Sequence, residues 1–132
     1  MTLPYELDHV RKRPSMWLRV VNFDTMSAFL QGANMASNGG LLSGFREWLV
    51  MRLDRRTNIP WFDLVLVFAF PDAKSPKEAL SQSPDQRREI DIPFELFSEF
   101  WHDRQEEGLK AIYLKHEIWS KEKASKRASS GD

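Results

Sequence analysis

The chain has 132 residues, of which 42% are hydrophobic and 12% aromatic, enough for one globular domain with its own core. Nineteen Lys and Arg balance nineteen Asp and Glu, so the chain lacks the basic excess of a nucleic-acid-binding domain, which argues against nucleic acid as a partner. There is no cysteine for a disulfide or thiolate metal site, no apolar run near the roughly 20 residues that span a bilayer, and no apolar signal-peptide core, so we expect a cytoplasmic protein.

The first predicted element is a short helix that ends in a basic turn. Pro14 cannot continue a helix, and three cations precede it while three apolar residues follow it. The pattern favours a structural corner in which the cations stay in water and the apolar side chains anchor the chain against the core. A contact of the cations with phosphate or with an acidic partner is the alternative. The residues concerned are Arg11, Lys12, Arg13, Met16, Trp17 and Leu18.

Two helices follow with the same period. Residues 23–36 repeat apolar side chains along one face, with Asn22 or Asp24 available as the cap. Asn38 and the two glycines after it form a helix stop, and the period resumes over residues 41–53. The pattern predicts an antiparallel pair of helices joined by a short turn.

An apolar run over residues 59–70 is ambiguous, because its length suits a buried strand as well as a buried helix. Asn58 as a cap, Pro60 near the first turn and the small number of β-branched residues favour a helix. A strand stays open as the alternative.

The second half of the chain begins with a polar stretch. Residues 72–91 are rich in Ser, Pro, Lys, Asp and Gln and are typical of a long loop. Two further helices are predicted over 93–107 and 108–122, and residues 123–132 are typical of a disordered tail. The overall expectation is a mainly α protein, with a compact single-domain bundle of about five helices within residues 1–122.

The sequence offers no familiar motif for catalysis or for cofactor or metal binding. The sequence contains neither of the glycine-rich phosphate loops nor a zinc-binding H-E-x-x-H. His102 precedes Asp103, but adjacent residues of a helix point in different directions, so we expect a solvent-facing histidine. His116 is expected at the edge of the core. We therefore expect no catalysis, no metal and no cofactor.

A row of carboxylates runs along the predicted helix 93–107. Side chains three and four residues apart share a helix face, so these carboxylates line up opposite the aromatic residues. Like charges at this spacing repel, and a basic binding partner would compensate for that cost. A solvated face is the alternative. The row, called here the acidic stripe, consists of Glu95, Glu99, Asp103 and Glu106; the spacing equally allows Glu107 in place of Glu106.

Several stretches resemble a known family. "VRKRPSMWL", "TMSAFLQGANMA", "LLSGFREWLVMRL", "WFDLVLVFAFP" and "GLKAIYLKHEIW" are similar to segments of small bacterial immunity proteins from polymorphic toxin and contact-dependent growth inhibition systems. The resemblance covers about residues 5–120, and its most recognisable positions are Arg13-Pro14, Met16, Gly44-Phe45 and Trp48-Leu49. Family members commonly have glycine and tyrosine where this chain has Ser15 and Trp17. If that glycine serves a positive φ, Ser15 must form a different turn.

The resemblance implies a protein that binds a cognate toxin domain, encoded by the adjacent gene, and occludes its active site. If the toxin is a basic nuclease, we expect the acidic stripe to replace the phosphates of its substrate. A small nucleic-acid-associated regulatory domain that uses the basic N-terminal turn and the C-terminal tail is the alternative, and an enzyme with a site built from distant residues is a third class.

Overall fold

The computed structural model describes residues 5–84 and 86–129. Within these residues the chain forms seven α-helices and no strand, so the predicted mainly α bundle is confirmed with more helices than the expected five or so. The helices are α1 (Tyr5–Lys12), α2 (Phe23–Ala36), α3 (Phe45–Leu53), α4 (Trp61–Ala69), α5 (Pro76–Ser81), α6 (Arg87–Glu107) and α7 (Leu109–Ser129), with a 3₁₀ turn at Pro14–Met16.

Helix α2 has the predicted bounds because Asn22 caps it. The Asn22 side chain accepts a hydrogen bond of 2.8 Å from the backbone N–H of Thr25, and the Thr25 hydroxyl accepts one of 3.0 Å in return. Positive φ angles at Asn38 and Gly39 follow the end of the helix. The predicted antiparallel pairing with α3 is wrong, since α2 packs mainly against α6.

Helix α4 occupies the ambiguous apolar run, so the strand alternative for residues 59–70 is wrong. Its first backbone hydrogen bond of the helical type runs from the N–H of Leu64 to the carbonyl of Pro60, at 3.1 Å. Leu64 and Val65 are fully buried, and α4 packs against α3, α5 and α6. A helix with neighbours on several sides buries an apolar surface that is too wide to show a clear amphipathic period.

The predicted loop 72–91 is wrong in its extent, because α5 lies inside it and α6 begins before it ends. The hydroxyl of Ser75 caps α5 by accepting a hydrogen bond of 3.3 Å from the N–H of Glu78. Pro93 lies within α6, where the sequence predicted a helix start, and it is fully buried. Helix α7 continues through residues 123–129, which the sequence placed in the predicted disordered tail; residues 130–132 of that tail lie outside the described part.

An aromatic cluster joins α3 to α6 at the centre of the bundle. The ring of Phe45 lies 5.6 Å from that of Phe97 and 5.2 Å from that of Phe100, centroid to centroid. Gly44 precedes Phe45 with a φ of 90°, and a β-carbon there would lie 2.6 Å from Cδ1 of Leu109. The missing side chain lets the start of α7 approach α3. No helix in the described ranges is long and apolar enough to cross a membrane.

Candidate protein-binding surface

The acidic stripe lies on the side of α6 that borders α1 and α3. Glu95 is 3.8 Å from the guanidinium of Arg11, at the end of α1. Glu99 is 2.7 Å from the guanidinium of Arg52 on α3. The side chains of Glu95 and Glu99 are 64% and 52% exposed, so both carboxylates have internal partners yet still face water.

Asp103 has a structural role. Its Oδ2 accepts a hydrogen bond of 2.8 Å from the indole Nε1 of Trp48, and Asp103 itself is half-buried. Trp48 is only 7% exposed, and an indole N–H at such a site needs an acceptor. Arg52 stacks on the outer face of the same indole, 4.8 Å from the ring centroid. Asp103 therefore stabilises the packing of α3 on α6.

Glu106 is the member of the stripe with the fewest internal contacts. It is exposed, and it makes no ion pair or hydrogen bond with the side chains of residues 5–84 and 86–129. Its neighbour Glu107 forms an ion pair with Lys115 of α7. The stripe therefore partly serves to hold α6 against α1 and α3. Its solvent-accessible carboxylates are Glu95, Glu99 and Glu106.

The basic turn after α1 differs from its prediction. Pro14 follows the end of α1, as expected, and the N–H groups of Trp17 and Leu18 both donate to its carbonyl, at 3.0 and 2.9 Å. Leu18 packs against the core, but Met16 is 67% and Trp17 is 55% exposed. The prediction that Met16 and Trp17 anchor the chain against the core is therefore wrong.

These exposed residues form a mixed apolar and cationic surface. Val20 is also 58% exposed, so three large apolar side chains reach solvent within five consecutive residues. Lys12, Arg13 and Arg19 are exposed in the same segment. We call residues 12–20 the N-terminal corner. Arg11, the residue just before this corner, forms the ion pair with Glu95, so the corner lies next to the Glu95 end of the acidic stripe.

Ser15, which stands where the resembling family commonly has glycine, lies in the 3₁₀ turn. The non-glycine residues with positive φ in the described part are Asn38 and Asp54, so Ser15 does not need the conformation that favours glycine. The serine forms a regular turn at this position.

The cations that the nucleic-acid alternative requires have acidic neighbours. Arg11 pairs with Glu95, and Lys12 lies 2.9 Å from Asp8. At the other end of the chain Lys123 lies 3.0 Å from Asp54. These pairs reduce the positive potential that phosphate binding needs.

Two of the histidines, His102 and His116, lie on the long helices α6 and α7. His102 is exposed and borders a shallow depression with Ser98 and Glu99. His116 is half-buried and packs against Trp119, with the ring centroids 5.7 Å apart. No group of three or more imidazole and carboxylate side chains in residues 5–84 and 86–129 could hold a metal ion.

Comparisons with protein-family models, with curated proteins and with solved structures give no match to this chain.

Proposed function

We propose that this chain is an immunity protein: it binds a cognate bacterial toxin domain, encoded by the adjacent gene, and neutralises it in the cytoplasm by covering its active site. The chain supplies a binding surface and no chemistry of its own. The resemblance of Arg13-Pro14, Met16, Gly44-Phe45 and Trp48-Leu49 to such proteins supports this proposal.

The observation that carries the proposal is the exposure of Met16 and Trp17 at the N-terminal corner. Covering apolar surface lowers the free energy by about 25 cal/mol per Å², and clustered exposed apolar residues mark interaction sites. Tryptophan and arginine dominate binding energy in protein interfaces, and the exposed Arg13 and Arg19 lie within four residues of Trp17 in the sequence. This chemistry is what a buried interface centre requires.

Exposed carboxylates beside the corner supply the charged rim. Glu95, Glu99 and Glu106 face water along α6, and Glu95 pairs with Arg11, the residue just before the corner. Rim charges mainly speed the encounter with a partner of opposite sign. If the toxin is a basic nuclease, these carboxylates occupy the positions of its substrate phosphates. Asp103 contributes indirectly, since it holds Trp48 and thereby the helix pair that carries the stripe.

The test is co-expression of this chain with the toxin-like domain encoded by the neighbouring reading frame. The wild-type chain is expected to restore growth of a sensitive bacterium and to co-purify with that domain. Trp17→Ser is expected to weaken the complex at least about tenfold, the loss typical of an interface hot spot.

Met35→Ser is the matched control. Met35 is 79% exposed, but it lies near the far end of α2. About 18 Å of helix separate it from Phe23, which begins α2 three residues after the N-terminal corner. This variant is expected to bind like the wild type. Failure of the soluble wild-type chain to rescue growth, or equal binding by both variants and the wild type, contradicts the proposal. Steeply salt-dependent binding of the free chain to DNA or RNA would favour the nucleic-acid alternative instead.

A further inference from the structure

A groove with a volume of about 540 Å³ opens between α2, α4 and α5, away from the acidic stripe. Its walls are largely apolar and are formed by Phe23, Ala28, Phe62, Leu66 and Leu80. The volume lies in the range of about 300–1,000 Å³ that small-molecule sites occupy, and such sites usually have apolar walls with a few polar groups. The polar groups therefore decide what the groove can bind.

The first polar group is the hydroxyl of Ser27, which lines the groove from α2. Ser27 is 7% exposed, and its Oγ has no hydrogen-bond partner among the described residues. Buried hydroxyls are nearly always paired, because leaving one unpaired is unfavourable. The Oγ is sheltered from bulk water, so a ligand reaches it only by entering deeply between α2 and α4.

The second polar group is the carboxylate of Asp63 on α4. Its side chain is only 18% exposed, and its one contact in the described part is an ion pair of 3.6 Å with Lys77. That distance is too long for a hydrogen bond, and the Lys77 side chain is 74% exposed. Asp24 lies on the rim of the same groove, so two carboxylates face one loosely held cation. The groove thus offers unused acceptors and a negative charge.

We propose that this groove binds a small amphipathic organic cation. An ammonium or amidinium group donates to the carboxylate of Asp63 and to the hydroxyl of Ser27, while the apolar body of the ligand packs against Phe62, Leu66 and Leu80. Hydrogen bonds between a charged donor and a carboxylate are the stronger kind, particularly at a site screened from water. Lys77 competes with the ligand for Asp63. The proposal concerns the chain alone and does not depend on toxin binding.

The test uses three probes of similar shape on the full chain: 2-phenylethylamine, its neutral analogue 2-phenylethanol, and the anion 3-phenylpropionate. Binding is followed by backbone amide chemical shifts in NMR titrations. The amine is expected to shift the amides of Ser27, Ala28 and Gln31 in a saturable manner, and to bind about tenfold more tightly than the alcohol. The anion is expected to bind most weakly.

Four variants separate the contributions of the polar groups. Asp63→Asn is expected to weaken amine binding about tenfold while leaving alcohol binding unchanged. Lys77→Gln is expected to strengthen amine binding, since it removes the competing cation. Ser27→Ala is expected to weaken amine binding and to raise the Tm, because its hydroxyl has no partner to lose. Asp72→Asn is the control, because Asp72 is an exposed carboxylate outside the groove. This substitution is expected to change neither amine binding nor alcohol binding.

Three results would overturn the proposal. The first is equal binding of the amine and the alcohol, and the second is the absence of a saturable shift of the groove amides. The third is that the anion binds most tightly and that Lys77→Gln abolishes its binding. If Asp63→Asn fails to fold, Lys77→Gln decides the matter. Weaker amine binding by Lys77→Gln would contradict the proposal that Lys77 competes with the ligand for Asp63.

Discussion

The indole Nε1 of Trp48 donates a hydrogen bond of 2.8 Å to Oδ2 of Asp103, across 55 residues of sequence. Trp48 is buried on α3, and Asp103 belongs to the carboxylates of α6 that the sequence assigned to a partner. The hydrogen bond gives Asp103 a role in the stability of the fold, and stability measurements can test this role separately from binding.

Asp103→Ala is expected to lower the free energy of unfolding by about 1–3 kcal/mol, because it leaves the buried N–H of Trp48 without its acceptor. Urea denaturation of the two proteins measures the difference. Glu106→Ala, the matched control on the same helix, is expected to change stability by no more than about 0.5 kcal/mol. Equal effects of the two substitutions would contradict a structural role for Asp103. A double-mutant cycle with Trp48→Phe isolates the pairwise contribution.

Two glycines are expected to respond in opposite directions to alanine. Gly44 has a φ of 90°, and an added β-carbon would lie 2.6 Å from Leu109, so Gly44→Ala is expected to destabilise the protein. The backbone strain alone costs about 1–2 kcal/mol, and the overlap with α7 adds to it. Gly32 lies within α2 with nothing within 4 Å of an added β-carbon. Gly32→Ala is expected to stabilise the helix by about 0.5–1 kcal/mol.

Thermal unfolding of both glycine variants tests this contrast. A higher Tm for Gly32→Ala and a lower Tm for Gly44→Ala are expected. An unchanged Tm for Gly44→Ala would contradict both the positive φ of Gly44 and the close approach of Leu109.

Asp54 links the end of α3 to α7 and makes stability depend on pH. Hydrogen bonds from Nε1 of Trp119, at 2.9 Å, and from Lys123, at 3.0 Å, hold the pKa of the Asp54 carboxyl below the ordinary value of 3.8. A folded-state pKa below that of the unfolded chain means that the unfolded chain binds the proton more readily. The stabilisation is therefore present above the ordinary pKa and is lost as the pH falls through the lowered one.

Titration of the side-chain carboxyl by NMR measures this pKa directly. Trp119→Phe is expected to raise the pKa of Asp54, and by more than Lys123→Gln, because the indole hydrogen bond is the larger cause. A pKa of Asp54 that does not respond to Trp119→Phe would show that the hydrogen bond does not form in solution.

The exposed part of the acidic stripe is expected to act on association rates. In the proposed complex, combining Glu95→Lys with Glu106→Lys is expected to slow association about tenfold at low salt, with a smaller effect at high salt and little change in dissociation. Surface plasmon resonance at several salt concentrations measures both rates. The matched control combines Asp72→Lys with Glu78→Lys, which changes the net charge by the same amount but on the segment around α5. Equal slowing by the two pairs would indicate a general effect of charge and remove the stripe from the interface.

Helices whose signals are local were the most predictable from the sequence. Asn22 and Thr25 cap α2 through their own side chains, so the start of this helix could be read directly. The start of α6 could not, because it depends on tertiary contacts: Gln86 accepts a hydrogen bond of 2.9 Å from the N–H of Phe23, 63 residues away. The rule that proline begins a helix therefore misplaced this boundary at Pro93, whose burial offsets the hydrogen bond it cannot form.

The candidate surface was only partly predictable for a similar reason. Spacing alone put four carboxylates on one helix face, but it could not show that Trp48 would use Asp103 or that Arg52 would reach Glu99. At the N-terminal corner, Met16, Trp17 and Leu18 are adjacent, so their spacing could not indicate which side chains are buried and which are exposed. The 3₁₀ turn turns Leu18 towards the core and leaves Met16 and Trp17 in water.

Helix α3 is bounded by left-handed residues at both ends, Gly44 and Asp54, and each of them depends on α7. Leu109 packs over Gly44, and Trp119 binds Asp54. During synthesis on the ribosome, α3 emerges long before either residue of α7 has been added. Helices α4 and α6 also pack against α3 and leave the exit tunnel earlier. Helix α3 therefore meets these two partners first, and it gains the contacts that hold its two ends only after residues 109–119 have emerged.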